Sequence, residues 1–183
     1  MKDSTNRTFN HFKIHTQYSI CEGAIKIAEL AKYCKENRIQ SIGLSDSYNL
    51  CGALEFSEEI SKVGTQPIIG SQINFKIQDS IGKLPLFAKT ENGFRNLTKL
   101  SSKSYLEIEN GMTPHCQLDD LFNNNNDLIV LSGGIESLFS ELIKKNNIKQ
   151  LEQIVLKFKE IFSDRFYFEI QRHGDIGEMN NEN

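Results

Sequence analysis

An α/β fold with a largely parallel sheet or barrel is what the sequence predicts, on three observations. Short stretches of apolar residues with strand character recur about six times. They are separated by runs with the helical i, i+3, i+4, i+7 spacing. The two patterns alternate over most of the 183 residues, which is the signature of strands joined by helical crossovers.

The elements follow in order. Phe12 and Ile14 alternate with His11, Lys13 and His15, which predicts a first strand with one polar face. Ile27, Leu30, Ala31 and Cys34 predict a helix over 24–37, and Ser41 to Leu44 a short buried strand ending at Ser45-Asp46. Leu54, Ile60 and Val63 give a second helix that Gly64 is placed to terminate. Pro67 to Gly70, continued by Ile73, Phe75 and Ile77, form a third strand, and Leu84 to Ala88 a fourth. Phe94, Leu97 and Ser101 line one face of a helix over 91–105. Residues 107–126 lack a period and end in Asn123 to Asn126, which reads as a solvated loop. Leu128 to Leu131 is an apolar strand followed by Ser-Gly-Gly, and two helical patterns come next. The second is strong, with Ile148, Leu151, Ile154, Val155, Phe158 and Ile161 or Phe162. Phe166, Phe168 and Ile170 predict a last strand, and the tail beyond is polar.

Composition excludes several classes. The charge balance is 21 Lys plus Arg against 24 Asp plus Glu, a formal net charge of −3, so the chain as a whole is no basic nucleic-acid coat. No apolar run has the length of a membrane span, and residues 1–10 lack a signal-peptide core. Cys21, Cys34, Cys51 and Cys116 form no C-x-x-C pair, so they read as structural thiols in a reducing cytoplasm. His115 falls in the irregular stretch and reads as a surface histidine. No G-x-G-x-x-G, P-loop or G-x-S-x-G elbow is present.

In α/β folds the chemistry sits beyond the carboxyl ends of the strands. Here those positions hold His15, Glu22, Asp46, Ser47, Gln72, Ser132 to Gly134 and His173, with Lys83 just before the fourth strand. Histidines and carboxylates from several strand ends suit a multi-metal or acid–base site. Two His, two carboxylates and a lysine at position 13 make a thin inventory, so hydrogen-bonded strand-end residues are the default.

The strings HFKIHTQYSICEGA, GLSDSYNLCGALEFSE, QPIIGSQI, LPLFAKTENGFRNLTKLSSKSYLE, DLIVLSGG and FYFEIQRHG occur in this order. Together they resemble the N-terminal polymerase-and-histidinol-phosphatase (PHP) domain of bacterial DNA polymerase III alpha subunits, with an alphaproteobacterial flavour. The resemblance implies a PHP-type distorted (β/α)7 barrel that is C-terminally truncated in this chain. It divides the chain into an extension over 1–8, an incomplete barrel over 9–174 and a polar tail over 175–183.

Members with an intact metal centre carry H-x-H on the first strand, Asp-His after the second and Glu after the third. Carried over by position, ligands are lost at Lys13, Ser47 and Gln72, while His15, Glu22, Asp46 and His173 remain as a vestigial pocket. Lys83 falls where some members have a histidine and Gly134 where some have a cysteine. A divalent cluster needs several anionic or imidazole donors. The resemblance therefore implies no catalytic residue, no bound cofactor and no Zn or Mn at the pocket in this segment. The two-metal Mg chemistry of DNA-directed polymerisation belongs to a palm domain elsewhere in the parent. The implied role is a cytoplasmic scaffold that contacts the rest of the alpha chain and docks the proofreading exonuclease. Sliding clamp, other holoenzyme subunits and primer-template DNA are reached through the parent, and no membrane is involved. The alternative is a metal-dependent phosphoesterase or 3'-5' proofreading nuclease of the same family.

Overall fold

The computed structural model describes residues 9–171. The expected extension over 1–8, the tail and His173 lie outside the described residues. A mixed sheet forms the centre, built from β1 (Ser41–Ser47), β2 (Gln66–Ile77), β3 (Ser80–Ala88), β4 (Cys116–Gln117), β5 (Leu128–Leu131) and β6 (Phe166–Tyr167). Its order is β1-β2-β3-β5-β6, with β4 added beside the far end of β2. The helices are α1 (Ile27–Glu36), α2 (Ala53–Lys62), α3 (Glu91–Leu106), α4 (Leu118–Asn123), α5 (Leu138–Lys144) and α6 (Ile148–Phe162). Among the described residues no helix is long and apolar enough to cross a membrane.

The α/β class holds, but the sheet is less parallel than the alternation suggested. β1/β2, β2/β4 and β5/β6 are parallel, whereas β2/β3 and β3/β5 are antiparallel. The cause is local. β2 and β3 are a hairpin that turns at Gln78-Asp79, with Gln78 in the left-handed region (φ 51°) and Ile77 paired to Ser80. This turn lacks the Asn-Gly or Gly-Gly signal that marks tight hairpins in sequence, so β3 begins at Ser80 and not at Leu84.

Several element bounds move for similar reasons. The first strand is reduced to isolated bridges, Ile14 with Leu44 and Thr16 with Ile25. α1 starts at Ile27 because residues 23–25 are held by the preceding turn: Gly23 N–H donates to Ser19 O and Gln17 N–H to Ile25 O. β1 runs on to Ser47 because Ser45, Asp46 and Ser47 pair with Gly70, Ser71 and Gln72 and are buried despite their polarity. α2 buries Ala53, Phe56 and Ile60 and leaves Leu54 exposed; Gly64 (φ 82°) follows its end as expected. α3 is rotated from the expected face. It buries Gly93, Leu97, Leu100 and Ser104, with Phe94 at the rim.

The stretch read as loop contains β4 and α4. Asp120 accepts from the Gln117 N–H at 2.9 Å in a capping box, and Leu118, Leu121 and Phe122 reach the core. Asn124 and Asn125 then cap that helix through their side-chain amides. His115, expected at the surface, is buried; its N–H donates to Ser104 O and its Nδ1 lies 2.8 Å from Thr113 O. Cys34 and Cys116 are buried thiols as expected, whereas Cys21 and Cys51 are exposed. β6 is two residues long, and Phe168 and Ile170 face outward because β5, its pairing partner, ends at Leu131.

Two apolar cores result. One joins α1, β1 and α2 through Ile27, Leu44, Phe56 and Ile60. The larger lies between the β2/β3/β5 face and α3 to α6. Its aromatic centre is Phe158, whose ring lies 5.1–5.5 Å from those of Phe122, Phe139, Phe162 and Phe166. Phe158→Ala should cost about 3–5 kcal/mol of unfolding free energy. Leu156→Ala, on the exposed side of the same helix, should stay within about 0.5 kcal/mol. Urea denaturation of the full chain checks both.

Candidate functional site

Where β1 and the first segment end, polar residues converge on an open cleft of about 480 Å³. Its walls include Lys13, His15, Glu22, Gln72, Lys83 and Gly134. The cleft therefore gathers most of the strand-end positions picked out by the sequence, from five separate segments. Asp46 and Ser47 lie beneath it at the end of β1, and His173 lies outside the described residues.

Asp46 is fully buried and its carboxylate is spent on the backbone turn above it. Oδ1 accepts from Thr16 N–H (2.6 Å) and Ser19 Oγ (2.7 Å), and Oδ2 accepts from Thr16 Oγ1 (2.7 Å). Ser19 Oγ in turn accepts from the Ser47 N–H at 3.1 Å. A buried carboxylate needs such donors to offset the loss of water, and here they fix the 16–19 turn to β1. That turn delivers Glu22 to the cleft.

Glu22 is bound from two sides. Lys83 Nζ lies 2.8 Å from Oε1, and Ser47 Oγ donates to Oε2 at 2.5 Å. Burial works against its ionisation, but the hydrogen bonds from Lys83 and Ser47, with the charges of Lys83 and His15, outweigh it and hold the carboxyl below its usual range. His15 Nε2 lies 2.5 Å from Gln72 Nε2, and Nδ1 is 3.3 Å from Ser19 Oγ and 3.5 Å from Glu22 Oε2. An amide nitrogen only donates, so with this orientation of Gln72 the His15 Nε2 accepts and the ring is neutral, its proton on Nδ1. Burial, aided by Lys13 and Lys83, pushes the His15 pKa down against the pull of Glu22 and Asp46.

Lys83 pairs with Glu136 Oε2 (3.0 Å) as well as Glu22 and lies 5.2 Å from the centre of the Tyr48 ring. Burial disfavours its charge, but the hydrogen bonds to Glu22 and Glu136 prevail and raise its pKa well above the usual lysine range. At the opposite wall Lys13 Nζ pairs with Glu169 Oε1 at 2.9 Å, which also accepts from Gln171. This pair links the two ends of the sheet, since residue 13 precedes the bridge to β1 and residue 169 follows β6. A Cβ at Gly134 would meet the amide end of the Gln171 side chain, a flexible group that would have to swing aside.

Among the described residues the cleft offers no free donor set for a divalent metal ion. Asp46 has both oxygens engaged by turn donors, the His15 Nε2 lone pair faces an amide N–H, and an ammonium sits on Glu22. Among the described residues no group of three or more His, Cys, Asp or Glu is arranged to hold a metal ion. The roles of Ser19, Thr16 and Glu136 were missed in the sequence. Hydroxyls in a turn and an exposed glutamate carry no pattern of their own.

A mixed sheet flanked by helices, with a polar cleft at its strand ends, defines an α/β domain. The chain matches the PHP domain over residues 11–173 and belongs to that family. Its relatives include proteins named DNA polymerase III subunit alpha. The one from Borreliella burgdorferi is 38% identical over 91% of this chain. Those from Haemophilus influenzae and Caulobacter vibrioides are 33% and 34% identical over 93% and 95% of it. The chain spans only 15–16% of the length of these relatives.

Two outcomes follow from the cleft. Asp46→Asn replaces an acceptor with a donor among three donors and should cost about 2–4 kcal/mol of stability, measurable by urea denaturation. The His15 pKa is depressed from 6.5, so on acidification the unfolded chain binds the proton first. His15 stabilisation is then fully present above the unfolded value and is lost as the pH falls through the folded one. The urea midpoint of His15→Gln should fall less than that of the wild type between neutral pH and pH about 5.

Proposed function

We propose that this chain is the PHP segment of a replicative DNA polymerase III alpha subunit, and that it serves as a non-catalytic scaffold. One observation carries the reading: among the described residues, the surviving donors His15, Glu22 and Asp46 are already engaged by side-chain or backbone groups of the chain itself. In particular, the Lys83 ammonium occupies Glu22. A phosphoesterase of this family type would need those donors for metal, which activates water and polarises the phosphoryl oxygen. The family match and the polymerase relatives supply the context.

In this role the domain supports the polymerase core and offers a docking surface to the proofreading exonuclease. Polymerisation and its Mg ions belong to the palm of the parent. The sliding clamp, the other holoenzyme subunits and the primer-template DNA are met through the parent in the cytoplasm. The experiment is a hydrolysis assay on bis-p-nitrophenyl phosphate with Mn²⁺ or Zn²⁺, using the full chain and a Lys13→His/Ser47→His/Gln72→Glu variant. The wild type should show no rate above the blank. Metal-dependent turnover by the wild type would replace the scaffold with the phosphoesterase or 3'-5' nuclease reading. Co-purification with the proofreading subunit tests the docking role, and failure to bind it removes that part.

A further inference from the structure

Lys83 stands in an unusual setting for a lysine. It projects from β3 into the cleft, and its side chain is only 14% exposed. Its Nζ meets Glu22 Oε1 at 2.8 Å, Glu136 Oε2 at 3.0 Å and the face of Tyr48. These partners come from three other segments: the turn after His15, the β5–α5 loop and the β1–α2 loop. The β5–α5 loop is also tied at the same residue through its backbone, since Lys83 N–H donates to Glu136 O at 3.0 Å.

Glu22 explains why a cation is needed. It accepts from Ser47 Oγ and shares the Lys83 ammonium with Glu136, and the neighbouring His15 is neutral in the hydrogen-bond pattern described above. Lys13 is engaged by Glu169 across the cleft. Lys83 is thus the cation in direct contact with Glu22 apart from the long approach of His15 Nδ1. Glu136 is 71% exposed, so its pair with Lys83 contributes little. In the pair with Glu22 the lysine is the sheltered member at 14% exposure, while Glu22 is 36% exposed and partly screened by water, so loss of the ammonium costs less than in a buried pair.

We infer that the Lys83 ammonium is the built-in cation of this cleft, tethering the segments of Glu22, Tyr48 and Glu136 in a chain that needs no divalent ion for the task. The inference rests on the scaffold reading and extends it. The cleft meets the charge of Glu22 with a side chain. Its mouth is accordingly preassembled whatever the supply of metal. Removal of the ammonium should expose Glu22 and His15 to cations from solution.

Thermal melts of the full chain test this, in EDTA and in MnCl₂, for the wild type, Lys83→Arg, Lys83→Met and Lys83→Met/Glu22→Gln. The wild type and Lys83→Arg should melt together, with the same Tm in either medium. Lys83→Met should melt measurably below the wild type in EDTA and regain part of the loss with Mn²⁺. The double variant should regain part of the loss without Mn²⁺ and ignore the metal, because the stranded carboxylate is gone. If Lys83→Met does not fold, a folded, Mn²⁺-indifferent double variant upholds the inference, and an unfolded one overturns it. A Lys83→Met chain that melts with the wild type overturns it while leaving the scaffold reading intact. A wild-type Tm raised by Mn²⁺ also overturns it, and Mn²⁺-dependent hydrolysis of the phosphodiester would remove the scaffold reading too.

Discussion

The buried carboxylate of Asp46 is the constraint from which the cleft is built. With no contact to water, it must be surrounded by donors, and the chain supplies a backbone N–H and two hydroxyls from the 16–19 turn. Satisfying Asp46 therefore dictates the path of residues 15–23, and that path sets His15 and Glu22 facing the cleft. Ser47, the next residue of β1, bonds Glu22 from below, and Lys83 reaches it from β3. The hierarchy runs from one desolvated charge to a turn, and from the turn to a paired carboxylate.

The same logic covers the other polar positions of the cleft. Lys13, Ser47, Gln72 and Lys83 each have a partner inside the domain: Glu169, Glu22, His15, and Glu22 with Glu136. An ammonium or amide held in a partly buried cleft would be costly if left alone. Here each is absorbed by a neighbour. The Lys13–Glu169 pair also gives the two ends of the sheet a contact that does not depend on strand pairing. Such a network favours a constant shape over reactivity, which suits a segment whose proposed work is support and docking.

Much of the fold was legible because burial leaves a period in the sequence. The α1 stripe Ile27, Leu30, Ala31 and Cys34 and the α6 stripe ending in Phe158 and Phe162 are both in the core. Reading failed where the deciding interaction was not periodic. The polar end of β1 is buried through pairing with β2, α4 is started by a capping box, and the Gln78-Asp79 hairpin has no glycine to announce it. His115 was misread because its burial comes from docking of its backbone onto the end of α3.

The site divides in the same way. Sequence alone determined the family, the strand-end positions and the residue types there, because the ordered strings around them are local. It also placed lysines at positions 13 and 83 among the strand-end residues. Only the tertiary structure decided what those lysines do, since their partners Glu169 and Glu22 lie 156 and 61 residues away. Ion pairs have no periodicity and no fixed spacing along a chain; they are set by which segments the sheet and the Asp46 turn bring within 3 Å or so of each other.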